Sequence, residues 1–163
     1  MPTVTDATRQ DLPQILTIYN EIIRTTTAVY SEVEFTPERG EAWFASKTAA
    51  GFPFLVVRDA SGVVAFGTFG EFRAWPCYRF SVEHSVHVRG DCRGRGIGRR
   101  VILELIARAR ALGKHAMIAG VDADNAVSIA LHEHLGFKMS GRLSEVGFKF
   151  GRWLDLVFLE FML

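Results

Sequence analysis

Residues 91–98 read DCRGRGIG, and they lie between an alternating apolar stretch, SVEHSVHV at 81–88, and a helix-like one, RRVILELIARARALGK at 99–114. Three glycines in five residues are costly to order unless the backbone itself must approach something closely. A glycine-rich loop between a strand and a helix presents backbone N–H groups, with the helix dipole behind them, to a phosphate. The stretch therefore predicts a site for a phosphorylated ligand.

Two common phosphate-binding motifs do not fit this loop. A P-loop ends in Gly-Lys-Ser/Thr, whereas Gly98 is followed by Arg99 and Arg100, and a dinucleotide fingerprint requires glycine at position 99. A flexible turn without a ligand is the remaining alternative, but such a turn needs one glycine and gains nothing from three. We therefore assign to ligand binding the residues Arg93, Gly94, Arg95, Gly96, Ile97 and Gly98.

Length and composition predict one globular domain spanning residues 1–163. The chain is 48% hydrophobic and 23% charged, and no apolar run approaches the roughly 18 residues of a membrane span. A formal net charge of +1 provides no field for nucleic acid or an anionic membrane. Cys77 and Cys92 form no disulfide framework, and the polar N-terminus is unlike a signal peptide. We expect a soluble, cytoplasmic protein with free thiols.

Periodicity and capping residues predict alternating helices and strands. Thr8 with Asp11 forms a capping box, and Thr36 before Pro37 starts a second helix. Alternating and β-branched residues predict strands, two of which form a hairpin with a slightly long loop over 59–62. The predicted helices span 8–24, 36–47, 97–112 and 125–137, and the predicted strands 52–60, 63–73, 79–88, 115–122 and a final strand or hairpin over 147–163.

The segment 93–98 resembles the Arg/Gln-x-x-Gly-x-Gly/Ala loop of the GNAT superfamily of N-acetyltransferases, in which the loop amides hold the pyrophosphate of acetyl-CoA. The stretches YRFSVEHSVHV, LHEHLGF and GFKFGRWLDLVF are similar to phosphinothricin and methionine-sulfoximine acetyltransferases. The resemblance implies a mixed α/β fold whose central, mostly antiparallel sheet is flanked by helices. It further implies acetyl-CoA as cosubstrate, a small-molecule amine as acceptor, and a homodimer. The further cofactor-binding residues that it implies are Val86, His87, Val88, Asn125 and Ser128.

Acetyl transfer to an amine requires a base near the acceptor nitrogen. Strand alternation places Glu83 on one face of the stretch 81–88 and His84 on the other, apolar face. A carboxylate in the middle of a strand is either half of a structural ion pair or a base with a raised pKa, and the resemblance favours the base, acting through water. For His84 we favour a hydrogen-bonded core histidine.

His132 occupies the position at which much of the superfamily carries the tyrosine proposed to protonate the departing thiolate. The resemblance to phosphinothricin-type sequences, which have histidine there, implies the same role for His132. A metal site in the stretch HEH is excluded, because His132 and His134 point to different helix faces and Gly136 stands where a ligand is required. We therefore expect no metal.

Arginines among aromatic residues predict the acceptor pocket. An amino acid carries a carboxylate and an apolar side chain, and arginine in an aromatic setting complements both. An ordinary surface loop remains the alternative. We favour Arg73 over Arg79 as the carboxylate anchor, with Lys149 as a further candidate. The acceptor residues that we predict are Tyr30, Glu32, Arg73, Trp75, Tyr78 and Arg79.

The leading hypothesis is thus an acetyl-CoA-dependent N-acetyltransferase for the α-amine of a small amino-acid analogue. Two alternatives remain open, namely acetylation of another amine or a protein N-terminus, and a non-catalytic acyl-CoA sensor. A mid-strand carboxylate disfavours the sensor, because binding alone does not need a base.

Overall fold

Seven strands form a single sheet flanked by four helices in a computed structural model that describes residues 3–163. The strands are β1 (Val4–Asp6), β2 (Phe54–Asp59), β3 (Gly62–Glu71), β4 (Ser81–Val88), β5 (Ala116–Asp122), β6 (Lys138–Lys149) and β7 (Arg152–Met162). The helices are α1 (Leu12–Thr25), α2 (Pro37–Ala49), α3 (Ile97–Ala111) and α4 (Ala126–His134). The strand order across the sheet is β1-β2-β3-β4-β5-β7-β6.

The sheet is antiparallel except between β4 and β5, which run parallel and are connected through α3. A parallel pair needs a crossover connection, and the sequence indicates one in the strand-loop-helix-strand pattern from 81 to 122. The mixed α/β architecture with a mostly antiparallel central sheet is therefore confirmed.

Helix α2 starts where Thr36 predicts it, whereas Thr8 starts a single 3-10 turn, Arg9–Asp11, from which α1 continues at Leu12. The Asp11 carboxylate accepts hydrogen bonds from the backbone N–H of Thr8, at 2.7 Å, and from its hydroxyl, at 2.9 Å. The Thr36 hydroxyl accepts from the N–H of Arg39 at 3.2 Å, with Pro37 in the first turn of α2. These bonds satisfy donors that a helix terminus otherwise leaves free.

Each face of the sheet carries its own apolar core. Val101, Leu105 and Ala109 of α3 lie fully buried against one face. Ile15 and Ile22 of α1 pack on the other face, in a cluster rich in aromatic rings. None of the helices within residues 3–163 is long and apolar enough to cross a membrane.

Two local expectations are wrong. The loop between β2 and β3 contains only Ala60 and Ser61, because the Asp59 carboxylate accepts from the N–H of Ser61 at 2.7 Å and Gly62 takes a φ of +104°. Helix α3, predicted to end at residue 112, ends at Ala111, and the Leu112 side chain is exposed.

Candidate active site

The parallel strands β4 and β5 pair over only three residues each and then separate. The last pair of the register is Glu83 with Ile118. Beyond it, residues 84–88 pair only with β3, and residues 119–122 pair only with β7. The facing strand edges therefore present backbone N–H and C=O groups that an extended ligand can bind as an added strand does.

The glycine loop lies at the end of β4, directly before α3. Gly94 and Gly96 adopt left-handed φ angles of +74° and +73°, a conformation that glycine enters without strain. No atom lies within 4 Å of the position that a Cβ would take at either residue. The first turn of α3 starts at Ile97, so its free N–H groups are presented beside an open loop.

The arginines of the loop are exposed and bonded only to nearby main chain. The Nε of Arg93 donates to the carbonyl of Val88 at 3.3 Å, and a terminal nitrogen of Arg95 donates to the carbonyl of Asp91 at 3.0 Å. Neither guanidinium has an ion pair within the described residues 3–163. Both charges are available to an anion.

The three residues at the end of β4 face opposite sides of the sheet. The side chains of Val86 and Val88 pack against the α3 core, whereas the His87 ring lies 5.2 Å from the ring of Tyr19 and 5.0 Å from that of Phe66. Burial lowers the pKa of His87 to about 4. Any contact between His87 and a ligand in the gap would therefore involve its backbone.

Helix α4 begins on the β5 side of the gap. The side-chain oxygen of Asn125 accepts from the N–H of Ser128 at 3.1 Å, which caps the helix. A Cβ at Gly98 would lie 3.6 Å from Val88 and 3.8 Å from Leu131 of α4. The start of α3 therefore lies between the end of β4 and α4.

Glu83 lies at the point where β4 and β5 separate. Its carboxylate has no hydrogen bond or ion pair to any residue among 3–163, and the absence of a side chain at Gly120 leaves room for this carboxylate. Burial raises the pKa of Glu83, an effect that the charges of Arg73 and Lys47 oppose. The structural ion pair is thus not observed, and the carboxylate has the environment of a base.

His84 and His132 form a buried pair on the opposite face of the sheet. Their Nε2 atoms are 3.2 Å apart, and Nδ1 of His132 lies 2.7 Å from the carbonyl oxygen of Ser128. Since a carbonyl only accepts, Nδ1 of His132 carries the proton and its Nε2 accepts from His84. Burial lowers the pKa of His132 and lowers that of His84 to about 3. Both rings are neutral at pH 7, and His84 is a core histidine as expected.

Arg73 and Arg79 each follow in the chain an aromatic residue, Phe72 or Tyr78, that lines a cleft of about 300 Å³, but neither arginine lines the cleft itself. The Arg73 guanidinium lies 4.3 Å above the Phe72 ring, and that of Arg79 donates to the carbonyl of Pro76 at 3.3 Å. Trp75 is 68% exposed and contributes no wall. Side chains that line the cleft include Phe72, Tyr78, Ser81, Ile118, Phe158 and Glu160.

Tyr30 and Glu32 attach the segment between α1 and α2 to the β6–β7 hairpin. The Tyr30 hydroxyl donates to the carbonyl of Asp155 at 2.7 Å, and the Glu32 carboxylate accepts from the N–H of Phe150 at 3.2 Å. Burial, together with nearby carboxylates, raises the pKa of Tyr30 to about 12. Both side chains therefore bond to the hairpin, and their predicted role as a wall of the acceptor pocket stays a prediction.

Lys149 is not available to a substrate, so that expectation is wrong. The side chain is 1% exposed, and its ammonium donates to three carbonyls at 2.6, 2.7 and 2.8 Å. Those carbonyls belong to the end of α1 and the segment after it, namely Ile23, Thr26 and Val29.

Lys47 of α2 lies beside the strand pair that carries Glu83, a position that the sequence does not indicate. Its Nζ donates to the carbonyl of Phe69 at 3.2 Å and stands directly over Gly70, which pairs with Glu83 across β3 and β4. The pairing of Gly70 with Glu83, which depends on the register of β3 and β4, is what brings Lys47 close to Glu83. Within residues 3–163 no cluster of three or more histidine, cysteine, aspartate or glutamate side chains could hold a metal ion.

The separated strands can bind an extended ligand, and the open glycine loop before α3 can bind a phosphate group of that ligand. The family model described as an acetyltransferase (GNAT) domain matches residues 4–158, and the chain belongs to this family. It is accordingly an acetyltransferase whose cosubstrate is acetyl-CoA.

Relatives and solved structures cover nearly the whole chain. The L-methionine sulfoximine/L-methionine sulfone acetyltransferase of Pseudomonas aeruginosa is 45% identical, over 97% of this chain and 92% of its own length. A phosphinothricin acetyltransferase from Sinorhizobium meliloti, solved with acetyl-CoA, is 37% identical with a TM-score of 0.96, over 99% and 88% of the two chains. A ribosomal-protein-alanine N-acetyltransferase from Brucella melitensis is 43% identical with a TM-score of 0.97, over 99% of both chains.

Proposed function

We propose that this protein transfers the acetyl group of acetyl-CoA to the α-amine of a small amino acid of the methionine sulfoximine, methionine sulfone or phosphinothricin type. The observation that carries the proposal is the position of Glu83, at the fork of β4 and β5 and without a partner among residues 3–163. The names of the Pseudomonas and Sinorhizobium proteins support the class of acceptor.

The cofactor side of the site is built from main chain and arginine. The amides of Gly94, Gly96 and the first turn of α3, with Arg93 and Arg95, hold the pyrophosphate of acetyl-CoA. The free edge of residues 86–88 hydrogen-bonds the pantetheine arm, with Asn125 and Ser128 on the far side of the gap. When bound, acetyl-CoA supplies an activated acetyl group as a thioester.

Glu83 supplies the proton acceptor. Its raised pKa improves its match to the acceptor amine, because an efficient base has a pKa near the operating pH. Glu83 accepts the amine proton through a water molecule, and the neutral nitrogen then attacks the acetyl group directly. Arg73 holds the acceptor carboxylate above the cleft lined by Phe72 and Tyr78.

His132 is the candidate that returns a proton to the departing thiolate. In the resting protein both of its ring nitrogens are bonded, one to Ser128 and one to His84. Donation therefore requires that Nε2 of His132 release its bond to His84, take up the proton that the acceptor nitrogen loses once the new C–N bond has formed, and pass it to the sulfur as the C–S bond breaks. His132 acts late in the reaction on this account, whereas Glu83 acts first.

The proposal includes a single domain, a homodimer and a cytoplasmic location. The β6–β7 hairpin exposes apolar side chains beside the open edge strand β6, among them Leu143, Phe148 and Trp153, and such a surface suits a second copy of the chain. Both Cys77 and Cys92 are free thiols, which suits a reducing compartment. Sedimentation equilibrium giving only the monomer mass would contradict the dimer.

A protein N-terminus is the second candidate acceptor, because the Brucella structure is named for that activity. An alanine N-terminus has no free carboxylate beside its amine, so it does not need Arg73. The two candidates therefore differ in whether a free α-carboxylate is required.

A thiol-release assay with acetyl-CoA tests the proposal directly. The acceptor panel contains methionine sulfoximine, methionine sulfone, phosphinothricin, the twenty amino acids, a polyamine and a short alanine peptide. We expect the highest kcat/KM for an amino-acid analogue with a free carboxylate. Higher kcat/KM for the peptide would favour the second candidate, and no turnover with any amine of the panel would contradict the proposed class of acceptor.

A further inference from the structure

The cations around Glu83 bear on how the acceptor is held. An α-amino acid carries its carboxylate one carbon away from the amine, so a cation that binds the carboxylate must lie close to the base. Several of the candidate cations already have partners. Lys149 donates to three carbonyls, Arg142 pairs with Asp155 at 2.6 Å, and Arg152 pairs with Asp124 at 2.9 Å.

Lys47 differs from these residues in its free donor capacity. Its ammonium makes a single hydrogen bond, to the carbonyl of Phe69, and no carboxylate oxygen of residues 3–163 lies within 4.0 Å of it. An ammonium has three donors, so two remain for a ligand. The side chain is half-buried, which places the charge in a setting where a bound anion is held more strongly than in water.

The sheet positions this ammonium beside the base. Nζ stands over Gly70, where a side chain would collide with it, and Gly70 pairs directly with Glu83. The charged groups that act on Glu83 are Lys47 from α2 and Arg73 from the loop after β3. Burial lowers the pKa of the Lys47 ammonium, and the negative charges of Glu71 and Glu83 oppose that effect. Glu83 is thus near two cations without contacting either within 4.0 Å.

We propose that Lys47 binds the carboxylate of the amino-acid acceptor together with Arg73, so that both cations orient the amine toward Glu83. The inference rests on the proposed function and adds a specificity residue to it. A lysine acts here as a point charge, whereas Arg73 offers the fork that matches a carboxylate. Acceptors without a free carboxylate gain nothing from Lys47.

The test compares Lys47→Met with the parent enzyme on methionine sulfone and on its carboxamide. We expect the KM for methionine sulfone to rise about ten- to a hundredfold, with the KM for acetyl-CoA changed by less than about twofold. The carboxamide should be a poor acceptor for both proteins and no poorer for the variant. Lys47→Arg should recover part of the loss, and Lys47→Ala replaces Lys47→Met if the latter fails to fold.

Lys114→Met is the matched control. Its ammonium also donates to one main-chain carbonyl, that of Arg79, and lies 5.5 Å from the Phe52 ring, as Lys47 lies 5.8 Å from it. We expect Lys114→Met to leave the KM for methionine sulfone within about twofold, since this lysine is not next to Glu83.

Three outcomes would overturn the proposal. An unchanged KM for methionine sulfone in a folded Lys47→Met, while the parent turns this acceptor over, refutes the role of Lys47 alone. If Lys47→Met loses as much kcat/KM with the carboxamide as with the free acid, and its pH profile of kcat/KM is shifted, then Lys47 acts only by changing the charge of Glu83. No turnover of any amino acid by the parent would overturn the proposed function as well.

Discussion

At the scale of the residue, the environment of Glu83 decides what this protein can do. The carboxylate is half-buried at a point where the sheet opens, and it lacks the ion pair that a buried charge usually has. Its pKa is raised above the ordinary value of 4.5 because burial outweighs two nearby cations. A carboxyl group in this setting costs stability when it is ionised, and groups with shifted pKa values cluster at functional sites.

Glu83→Gln should separate chemistry from stability. The folded protein holds the Glu83 proton more tightly than the unfolded chain. Protonated Glu83 therefore stabilises the fold at low pH, and this contribution to the free energy of unfolding is lost as pH rises through the raised pKa. A neutral glutamine should therefore leave the melting temperature at pH 7.5 unchanged or higher. Turnover should fall by roughly a hundredfold or more, since a positioned base contributes about that factor.

The pH profile of the parent enzyme provides the companion measurement. We expect its kcat/KM to fall as pH is lowered through the raised pKa of Glu83, at a pH above 4.5. A lower melting temperature for Glu83→Gln with turnover per folded molecule intact would instead show that Glu83 is a structural group.

At the scale of the element, local signals in the sequence predicted most of what formed. The capping residues Thr8 and Thr36, and the glycine loop before α3, are each specified within a few residues. Alternation alone placed Glu83 and His84 on opposite faces of β4. Such features are predictable because their hydrogen bonds and periodicity are local.

Features that depend on distant parts of the chain could not be predicted. The separation of β4 from β5 after Glu83 is a matter of register between strands more than thirty residues apart. Lys47 reaches the site only because its side chain on α2 extends to Phe69 and Gly70 near the end of β3. Lys149 is buried only because the hairpin meets the end of α1. Tyr30 also gains its partner Asp155 through this meeting.

At the scale of the whole molecule, the parallel pair inside an antiparallel sheet creates the site. The β4–α3–β5 crossover brings a strand end, a glycine loop and a helix start together, and the divergence of the strands opens a slot beside them. The face that carries α1 and α2 leaves the acceptor cleft open next to β5 and β7. Cofactor and acceptor can thus reach Glu83 from different directions.

Calorimetric titration of acetyl-CoA into the parent, Gly96→Val and Gly113→Val tests this arrangement most directly. Gly113 is a matched control, because both glycines have positive φ and open space around the missing Cβ, whereas Gly113 lies at the far end of α3. We predict that Gly96→Val weakens acetyl-CoA binding at least about thirtyfold, through loss of close backbone approach, and that Gly113→Val leaves it nearly unchanged. Equal affinities for all three folded proteins would contradict the placement of acetyl-CoA on this loop.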